Sequence, residues 1–232
     1  MTEERKPLVY FVTSHPMSVV AFLLPHLKAL SSHARLSVLA NTLDTNLLIS
    51  RGLNLPVGDV AIERAIRPWR DLLALWSLYQ TFRVNKPDVV HTITPKAGLL
   101  GMAAAWLARV PVRVHSFTGQ VWVTQTGLMK QVLMWADRCI AALATDVLVD
   151  SPSQRDFLLK HGIVSAEKSN VLGPGSICGV DTDRFKPDLA DRIALRTELG
   201  IEADSKVLLY LGRLNHDKGV LDLADAFFML AR

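Results

Sequence analysis

The sequence predicts an α/β fold in which helices cover both faces of a parallel sheet. Short apolar runs, rich in valine and leucine, alternate with longer amphipathic segments along most of the 232 residues. The apolar runs lack the polar alternation of a strand with one solvated face, and this is typical of strands buried on both faces. The repeated strand–helix order therefore indicates a Rossmann-like sheet.

Six apolar runs are the predicted strands, and helical patterns lie between them. The strands are expected over residues 8–13, 36–41, 88–93, 112–117, 146–151 and 207–212. The helices are expected over residues 18–32, 68–85, 97–108, 127–143, 152–161 and 189–200, with another starting near Gly219. Because ligands of parallel sheets bind at the carboxyl ends of the strands, residues that follow these runs are the first candidates for a site.

The segment 173–188 interrupts the strand–helix order. It is rich in glycine and aspartate and contains Pro174 and Pro187, which is typical of a loop between domains. We therefore place a domain boundary near residue 186. Residues 1–186 would form one Rossmann-like domain, and residues 187–232 would form a linker helix and the first strand and helix of a second domain.

The composition excludes several classes of protein. Half of the residues are hydrophobic, which disfavours disorder. Cys139 and Cys178 have no metal-ligand or redox spacing, so a reduced compartment is expected. The apolar run near the N-terminus is too short for a signal peptide, and the longest apolar segment, about 12 residues, is shorter than a membrane span. With a pI near 9.2, we expect a cytoplasmic protein that can contact the inner face of the membrane.

The stretch YLGRLNHDKGV, residues 210–220, places two cations at the predicted start of a helix. Gly212 ends a predicted strand, and Arg213 and Lys218 are five positions apart. Two cations beside the free N–H groups of a helix N-terminus form a site for a diphosphate. An ordinary loop with solvated basic residues explains the same spacing equally well.

Several motifs resemble one enzyme family. LGRLNHDKGVLDLADAF is similar to the G-R-x-x-x-x-K-G signature that opens the second domain of retaining GT-B glycosyltransferases of family 4. PDVVHTITPKAGLLG, VRVHSFTGQVW, DSPSQRDFL and GSICGVDTDRF also resemble this family, above all its bacterial members that build surface polysaccharides or lipid-linked saccharides. The resemblance implies transfer of a sugar from a nucleotide-sugar donor to a saccharide acceptor, with retention of the anomeric configuration. We expect this acceptor to be lipid-linked.

The resemblance also implies roles for individual residues. Arg213 and Lys218, with Gly212, would bind the donor diphosphate as it leaves, and neither a metal nor a cofactor would be required. His115 is expected at the end of a predicted strand, where parallel sheets place ligand contacts, and it corresponds by context to the active-site histidine of the family, near the donor sugar. A lone histidine in a strand is otherwise more often a satisfied core residue.

Other residues that flank predicted strand ends are candidate contacts with the acceptor or the sugar. They are Ser14, His15, His91, Lys96, Thr118 and Gly119. Lys96 could meet an acceptor phosphate, or a helix could simply begin after Pro95. Ser14 could instead cap a helix. Many family members have a glycine pair in the loop after the first strand, and this chain does not.

Two further patterns have competing explanations. The triplet at 181–183 matches the Asp-x-Asp of metal-dependent transferases, but it falls in the predicted interdomain loop, so no metal site is expected. Residues 62–86 combine arginines with tryptophans, and Ile66, Trp69, Leu73 and Trp76 follow helical spacing. Core packing is the favoured explanation, and an interfacial segment on anionic lipid is the alternative. No base-stacking platform or recognition motif accompanies the arginines, so nucleic-acid binding is not expected.

The family's second domain should continue for more than a hundred residues and carry a Glu-x(7)-Glu motif, whereas no glutamate follows Glu202. We therefore expect a C-terminally truncated enzyme that is inactive alone. Two alternatives keep the same fold. One is a UDP-sugar 2-epimerase, which would need carboxylates facing the sugar, and the other is a non-catalytic module that binds an acceptor or a partner chain.

Overall fold

The computed structural model describes residues 5–63, 65–212, 214 and 216–230, the side chain of Asp217 excepted. The chain divides into two compact units, Met1–Gly179 and Val180–Arg232. The predicted domain boundary near residue 186 lies close to this division. The identity of residues 187–232 as the start of a second domain stays a prediction.

Within the described residues, the first unit contains a single parallel sheet with seven strands. They are β1 Leu8–Val12, β2 Arg35–Ala40, β3 Val57–Asp59, β4 Val89–Ile93, β5 Val112–Phe117, β6 Asp146–Val149 and β7 Ser169–Val171. Their order across the sheet is β3-β2-β1-β4-β5-β6-β7, and every neighbouring pair is parallel. The predicted α/β fold with a Rossmann-like parallel sheet is thus confirmed.

Helices connect the strands and continue into the second unit. They are α1 Pro16–Ser18, α2 Leu24–Leu30, α3 Thr45–Ile49, α4 Pro68–Asn85, α5 Pro95–Leu107, α6 Gly127–Leu143, α7 Pro152–Lys160, α8 Leu189–Glu198 and α9 Val220–Leu230. A π-helical turn, Val19–Leu23, joins α1 to α2, and 3-10 turns occupy Val121–Thr124 and His216–Lys218. None of the described helices is long and apolar enough to cross a bilayer.

The sheet is covered on both faces, as the apolar strands predict. On one face, β1 contributes Tyr10 and Val12 to a core shared with α4 to α7. On the other face, Val9 and Phe11 pack with the segment from α1 to α3. Alternate residues of one strand thus enter two different cores, so neither face of β1 needs polar side chains.

Proline and capping residues define where several helices begin. α4, α5 and α7 each start with proline, at Pro68, Pro95 and Pro152, where the missing N–H has no helical partner to lose. In the second unit, Asp188 caps α8 because its Oδ1 accepts a hydrogen bond from the backbone N–H of Asp191 at 3.0 Å.

Two predictions about local structure are wrong. No strand forms over residues 207–212, although these residues are described. A strand needs a neighbour for its backbone groups, and all strands of the described chain belong to the first unit. The stripe of Ile66, Trp69, Leu73 and Trp76 is exposed rather than buried in the core. Helical spacing alone does not distinguish an inward stripe from an outward one.

Candidate functional site

The strand order reverses between β1 and β4, and this reversal creates a crevice at one edge of the sheet. From β1 the chain proceeds outward to β2 and β3, and from β4 it proceeds outward in the opposite direction to β7. The loops that follow β1 and β4 therefore diverge at the carboxyl edge, which is where open parallel sheets bind ligands. Ser14 follows β1, and Thr94 follows β4.

Ser14 and Thr94 are joined by hydrogen bonds across this crevice. Their hydroxyl oxygens are 2.9 Å apart, and the backbone N–H of Ser14 donates to Thr94 Oγ1 at 3.3 Å. Thr94 has φ 77°, a left-handed conformation that strains a β-branched residue. The neighbouring hydroxyl of Thr13 is fully buried and has no hydrogen-bond partner within the part of the chain that the structure describes. Sequence reasoning missed both threonines, although Thr94 directly precedes Pro95 at a predicted strand end.

His15 caps a helix, a role that the sequence analysis had offered for Ser14. The Nδ1 atom of His15 accepts a hydrogen bond from the backbone N–H of Met17 at 3.2 Å, at the start of α1. The cap thus lies one residue later than expected, and this leaves the Ser14 hydroxyl for Thr94. A contact of His15 with an acceptor stays a prediction.

Thr118 and Gly119 are exposed in the loop that follows β5. Gly119 has φ 145°, in the region that favours glycine, so the loop turns there at little cost. The next residue, Gln120, has a buried Nε2 atom without a hydrogen-bond partner among the described residues. Since β5 lies beside β4, this loop extends the polar edge that Ser14 and Thr94 begin.

The loop after β5 is fixed by a buried polar pair that sequence reasoning did not find. Trp122 Nε1 donates to Asp137 Oδ2 at 2.8 Å, and the Trp122 ring stacks on Phe157 with 5.4 Å between ring centroids. Burial raises the pKa of Asp137 to about 6, and the hydrogen bond from Trp122 opposes that rise. The pair ties the segment that includes Gly119 to α6.

Lys96 is engaged within the protein. Its Nζ lies 2.6 Å from Asp71 Oδ1 and also donates to the backbone oxygen of Ala65. The ammonium group therefore joins α5 to α4 and to the segment before it. The predicted contact with an acceptor phosphate would require this ion pair to open.

His115 is an interior residue, and its predicted position at the open edge is wrong. The side chain is 1% exposed, and its Nδ1 lies 2.7 Å from Thr92 Oγ1. β5 continues for two residues beyond His115, which places the ring beneath α5 rather than at the strand end. Burial lowers the pKa of His115 to about 3, with a smaller contribution from His91, so the ring is neutral.

Two glycines of α5 make room for this hydrogen-bonded pair. A Cβ atom added to Gly98 would lie 2.5 Å from His115 Cε1, and one added to Gly101 would lie 2.6 Å from Thr92 Cγ2. Neither distance is possible between unbonded carbon atoms. α5 can therefore approach the sheet this closely only because both positions lack a side chain.

His91 lies on the opposite face of the sheet from His115. Its Nε2 is 2.8 Å from Ser116 Oγ, and its ring packs against Phe11 with centroids 5.1 Å apart. Burial lowers the pKa of His91 to about 4, and the nearby His26 adds to this effect. His91 occupies the middle of β4 rather than its carboxyl end, so the structure does not bring it together with Ser14 and Thr94.

The ring of His91 borders a cavity of about 370 Å³ on that face. The cavity has mostly apolar walls, and its polar lining includes His26, Ser116, Asp150 and Ser176. Burial raises the pKa of Asp150. The side chain of His26 approaches the backbone oxygen of Ile177, which closes the cavity on one side.

The predicted diphosphate residues belong to the second unit. Lys218 ends the 3-10 turn that precedes α9, and it is exposed, as is Gly212. Arg213 lies outside the described residues. The diphosphate site therefore stays a prediction.

One carboxylate of the predicted interdomain loop, that of Asp181, accepts hydrogen bonds from the backbone. Asp181 Oδ1 accepts hydrogen bonds from the backbone N–H groups of Asp183 and Arg184 at 3.1 and 3.0 Å, which is an Asx-type turn. Over the described ranges, no group of three or more His, Cys, Asp or Glu side chains could hold a metal ion.

Solved structures share the fold over nearly the whole chain. The Anabaena protein HepE, crystallised with UDP and glucose, superposes with a TM-score of 0.71 at 19% identity, covering 94% of this chain and 57% of HepE. A UDP-N-acetylglucosamine 2-epimerase is less similar, with a TM-score of 0.55 at 18% identity over 73% of this chain and 49% of the epimerase. The chain thus shares its α/β fold with both structures, and more closely with HepE.

Two curated relatives each match more than two thirds of the chain. The capsular polysaccharide biosynthesis glycosyltransferase CapM of Staphylococcus aureus is 29% identical over 168 residues, which are 72% of this chain and 44% of CapM. An Escherichia coli UDP-Gal:alpha-D-GlcNAc-diphosphoundecaprenol alpha-1,3-galactosyltransferase is 32% identical over 163 residues, 68% of this chain and 40% of that enzyme. The chain therefore spans less than half the length of either relative.

The family of glycosyl transferase 4-like domains matches residues 15–175. This range covers more than half of the chain, begins directly after Ser14, and contains Thr94 with the loops that follow β4 and β5. The chain belongs to the glycosyl transferase 4-like domain family.

Proposed function

We propose that the chain is the acceptor-side part of a glycosyltransferase that moves a sugar from a nucleotide-sugar donor to a lipid-linked saccharide. The observation that carries this proposal is the family match over residues 15–175, which contain Thr94 and the loops that follow β4 and β5. The relatives support the class of reaction, because one is a capsular polysaccharide glycosyltransferase and another acts on a diphosphoundecaprenol-linked acceptor. HepE binds UDP and glucose, which supports a nucleotide-sugar donor.

In this proposal the carboxyl edge of the sheet receives the acceptor saccharide. Hydroxyl groups both donate and accept hydrogen bonds, and so do the hydroxyl groups of a sugar. Ser14, Thr94 and Thr118 offer such groups at neighbouring strand ends, and Gly119 lets the chain approach a ligand closely. The strain at Thr94 supports the assignment, because residues held in unfavourable conformations cluster at functional sites.

The proposed transfer breaks the bond between the anomeric carbon and the donor diphosphate and forms a bond from that carbon to an acceptor oxygen. With retention, the acceptor hydroxyl attacks from the face that the diphosphate leaves, and its proton passes to the departing phosphate oxygen. Arg213 and Lys218 would stabilise the negative charge that develops on the diphosphate, which is the main electrostatic contribution and calls for no metal.

We assign His115 a positioning role in this reaction. Its hydrogen bond to Thr92 joins β4 to β5 two residues before Thr94. The pair therefore holds the two strand ends from which Thr94 and Thr118 project. His91 would support the same strands from the opposite face through Ser116.

A transfer assay tests the proposal. The longest natural form of the protein is incubated with labelled UDP- and GDP-sugars and a membrane extract that contains lipid-linked acceptors. We expect label to enter the lipid fraction with at least one donor, and Thr94→Ala and Ser14→Ala to lower this rate about tenfold or more by loss of acceptor positioning.

Two other outcomes would contradict the proposal. Conversion of a UDP-sugar to its 2-epimer, followed by NMR without any acceptor, would assign the fold to an epimerase. Binding of a saccharide without turnover of any donor would assign it to a non-catalytic module. We further propose that the protein is cytoplasmic and peripheral on the inner face of the membrane, where a lipid-linked acceptor would be reached.

A further inference from the structure

Four of the five tryptophans are exposed, and all four lie on three consecutive helices of one sheet face. Trp69 and Trp76 on α4, Trp106 on α5 and Trp135 on α6 are each more than half exposed, whereas Trp122 is 2% exposed. Tryptophan has a large apolar side chain that is usually mostly buried. A group of four exposed rings therefore indicates a surface that binds a membrane or another molecule.

The exposed tryptophans belong to continuous apolar stripes. On α4, Leu73 lies between Trp69 and Trp76 at helical spacing, and its side chain is 60% exposed. On α6, Val132 and Trp135 form a second stripe, and both are at least half exposed. We call the set Trp69, Leu73, Trp76, Trp106, Val132 and Trp135 the tryptophan surface. Both stripes point away from the core.

The core does not need these stripes, because each helix buries a different face. α4 packs inward through Ala74, Leu78 and Phe82, and α6 packs inward through Met134 and Ile140. An amphipathic surface helix has one apolar face and a polar one opposite. α4 and α6 instead carry apolar residues on both faces.

The tryptophan surface extends along the helix layer from the carboxyl edge of the sheet. α5 packs against both α4 and α6, so the three helices form one outer layer. Each helix that follows a strand of a parallel sheet begins at the carboxyl edge, the edge that carries Ser14, Thr94 and Thr118. Trp69 therefore lies near this edge, whereas Trp106, near the end of α5, lies toward the opposite one.

The helices of this layer are positively charged. Basic residues outnumber acidic ones in α4, α5 and α6, with Arg70, Arg83, Lys96, Lys130 and Arg138 against Asp71 and Asp137. Asp137 is buried, Asp71 is paired with Lys96, and Arg70 is paired with Glu63 just before α4. Within the described residues, Arg83, Lys130 and Arg138 are thus the cations of the three helices that no ion pair offsets. Arg83 is exposed and lies two turns beyond Trp76 on the same side of α4. Exposed Lys86 and Arg109 follow the ends of α4 and α5.

We infer that the tryptophan surface binds an anionic lipid bilayer. Tryptophan rings favour the boundary between headgroups and acyl chains, where apolar and polar parts are both satisfied. Arginine and lysine at the rim of an apolar surface are attracted to anionic headgroups. A second copy of the chain fits less well, because a self-complementary interface would bring Arg83 and Lys86 against other cations of the same layer.

This arrangement would lay the outer face of the helix layer on the membrane, with the carboxyl edge of the sheet at its border. Under the proposed function, the saccharide of a lipid-linked acceptor would then enter the crevice at Ser14 and Thr94 while its lipid stayed in the bilayer. Bilayer binding itself requires neither donor nor acceptor, so its test is separate from the test of sugar transfer.

Tryptophan fluorescence with lipid vesicles tests the inference directly, since four of the five rings belong to the tryptophan surface. Vesicles of phosphatidylcholine containing phosphatidylglycerol should shift the emission to shorter wavelength and sediment with the chain. Vesicles of phosphatidylcholine alone should bind more weakly, and added salt should weaken binding to the anionic vesicles. Leu73→Ser should lower partitioning into anionic vesicles about fivefold to tenfold, because it removes one apolar side chain that would be buried in the bilayer. Arg83→Gln should lower it about fivefold.

Ile49→Ser is the matched control, because Ile49 is a similarly exposed aliphatic residue of α3 on the opposite face of the sheet. This variant should bind vesicles as the unchanged chain does, and circular dichroism should show all variants folded. Absence of an emission shift with anionic vesicles would overturn the inference, as would equal losses for Leu73→Ser and Ile49→Ser. A concentration-dependent dimer that Leu73→Ser dissociates, without vesicle binding, would assign the surface to a second copy.

Discussion

His91 and His115 lie on neighbouring strands, and the two faces of the sheet treat them differently. The register pairs His91 with Val114 and Thr92 with His115, so the two rings point in opposite directions. His115 is enclosed between the sheet and α5, whereas His91 borders a cavity. Both rings hydrogen-bond a hydroxyl of the adjacent strand. The same hydrogen-bonding pattern is therefore close-packed on one face and loosely packed on the other.

The largest predicted effect is the loss of folding stability on acidification, to which both histidines contribute. The pKa values of His115 and His91, about 3 and about 4, are both below the ordinary 6.5. The unfolded chain thus binds more protons below pH 6.5, and stability present above that pH is lost as pH falls toward these values. Each proton taken up changes the unfolding free energy by about 1.4 kcal/mol per pH unit. We expect a loss that begins near pH 6.5 and steepens down to about pH 4 in urea titrations.

The comparison predicts where the two histidines differ. Between about pH 6.5 and pH 5 both rings are neutral in the folded chain, so each contributes equally to the loss, and His91→Asn should remove about half of it. Below about pH 4 the ring of His91 takes up a proton in the folded chain as well, whereas that of the enclosed His115 does not. The loss of stability should therefore continue to lower pH in His91→Asn than in His115→Asn. Losses that end at the same pH would mean that the two faces disfavour the charged ring alike.

Truncation of each ring should give the second largest effect. His115→Ala leaves a void beneath α5 and a buried Thr92 hydroxyl without its partner, so it should lower the unfolding free energy by about 3 kcal/mol. His91→Ala only enlarges an existing cavity and should cost about 1 to 2 kcal/mol. Urea denaturation at neutral pH measures both. Equal losses would mean that the two faces are packed alike.

Asp137 titrates in the opposite sense on the same face as His115. Its pKa is raised to about 6, so stability is full below the ordinary 3.8 and is lost as pH rises through 6. Asp137→Asn removes this charge and keeps an acceptor for Trp122. The unfolding free energy of the variant relative to the unchanged chain should improve by about 2 kcal/mol between about pH 4 and pH 7. A constant difference would indicate that Asp137 stays charged throughout.

The smallest effect on stability is expected at the carboxyl edge. Ser14→Ala removes one partly buried hydrogen bond to Thr94 and should lower the unfolding free energy by about 1 kcal/mol or less. Thermal unfolding followed by circular dichroism can detect this change. If the loss matches that of His115→Ala, then Ser14 supports the fold rather than a ligand.

Much of the sheet could be predicted from the sequence because its strands are apolar throughout. The predicted bounds of α4 and α6 match the structure, and β1, β2, β4, β5 and β6 were found within two residues of their ends. β3 and β7 were missed because three residues carry too little pattern to distinguish a strand from a loop. Residues 207–212 have the composition of a strand but no neighbouring strand in the described chain.

The orientation of side chains could not be predicted in the same way. A strand buried on both faces has no polar alternation, so its sequence does not say which face a histidine meets. His91 and His115 were therefore both expected near the open edge. The tryptophans of α4 were assigned to the core for a similar reason, because helical spacing does not show whether an apolar stripe faces the core or the solvent. Thr94 gave no signal, since its strain depends on the loop that it begins.

The close approach of α5 to the sheet has a consequence for how this sequence can change over evolutionary time. Gly98 and Gly101 face His115 and Thr92 without room for a methyl group. Position 98 can gain a side chain only if position 115 becomes smaller, and positions 101 and 92 are linked in the same way. Each exchange is disfavoured alone and tolerated together. We therefore expect the two pairs to covary, so that a family member with alanine at position 98 has a residue smaller than histidine at position 115.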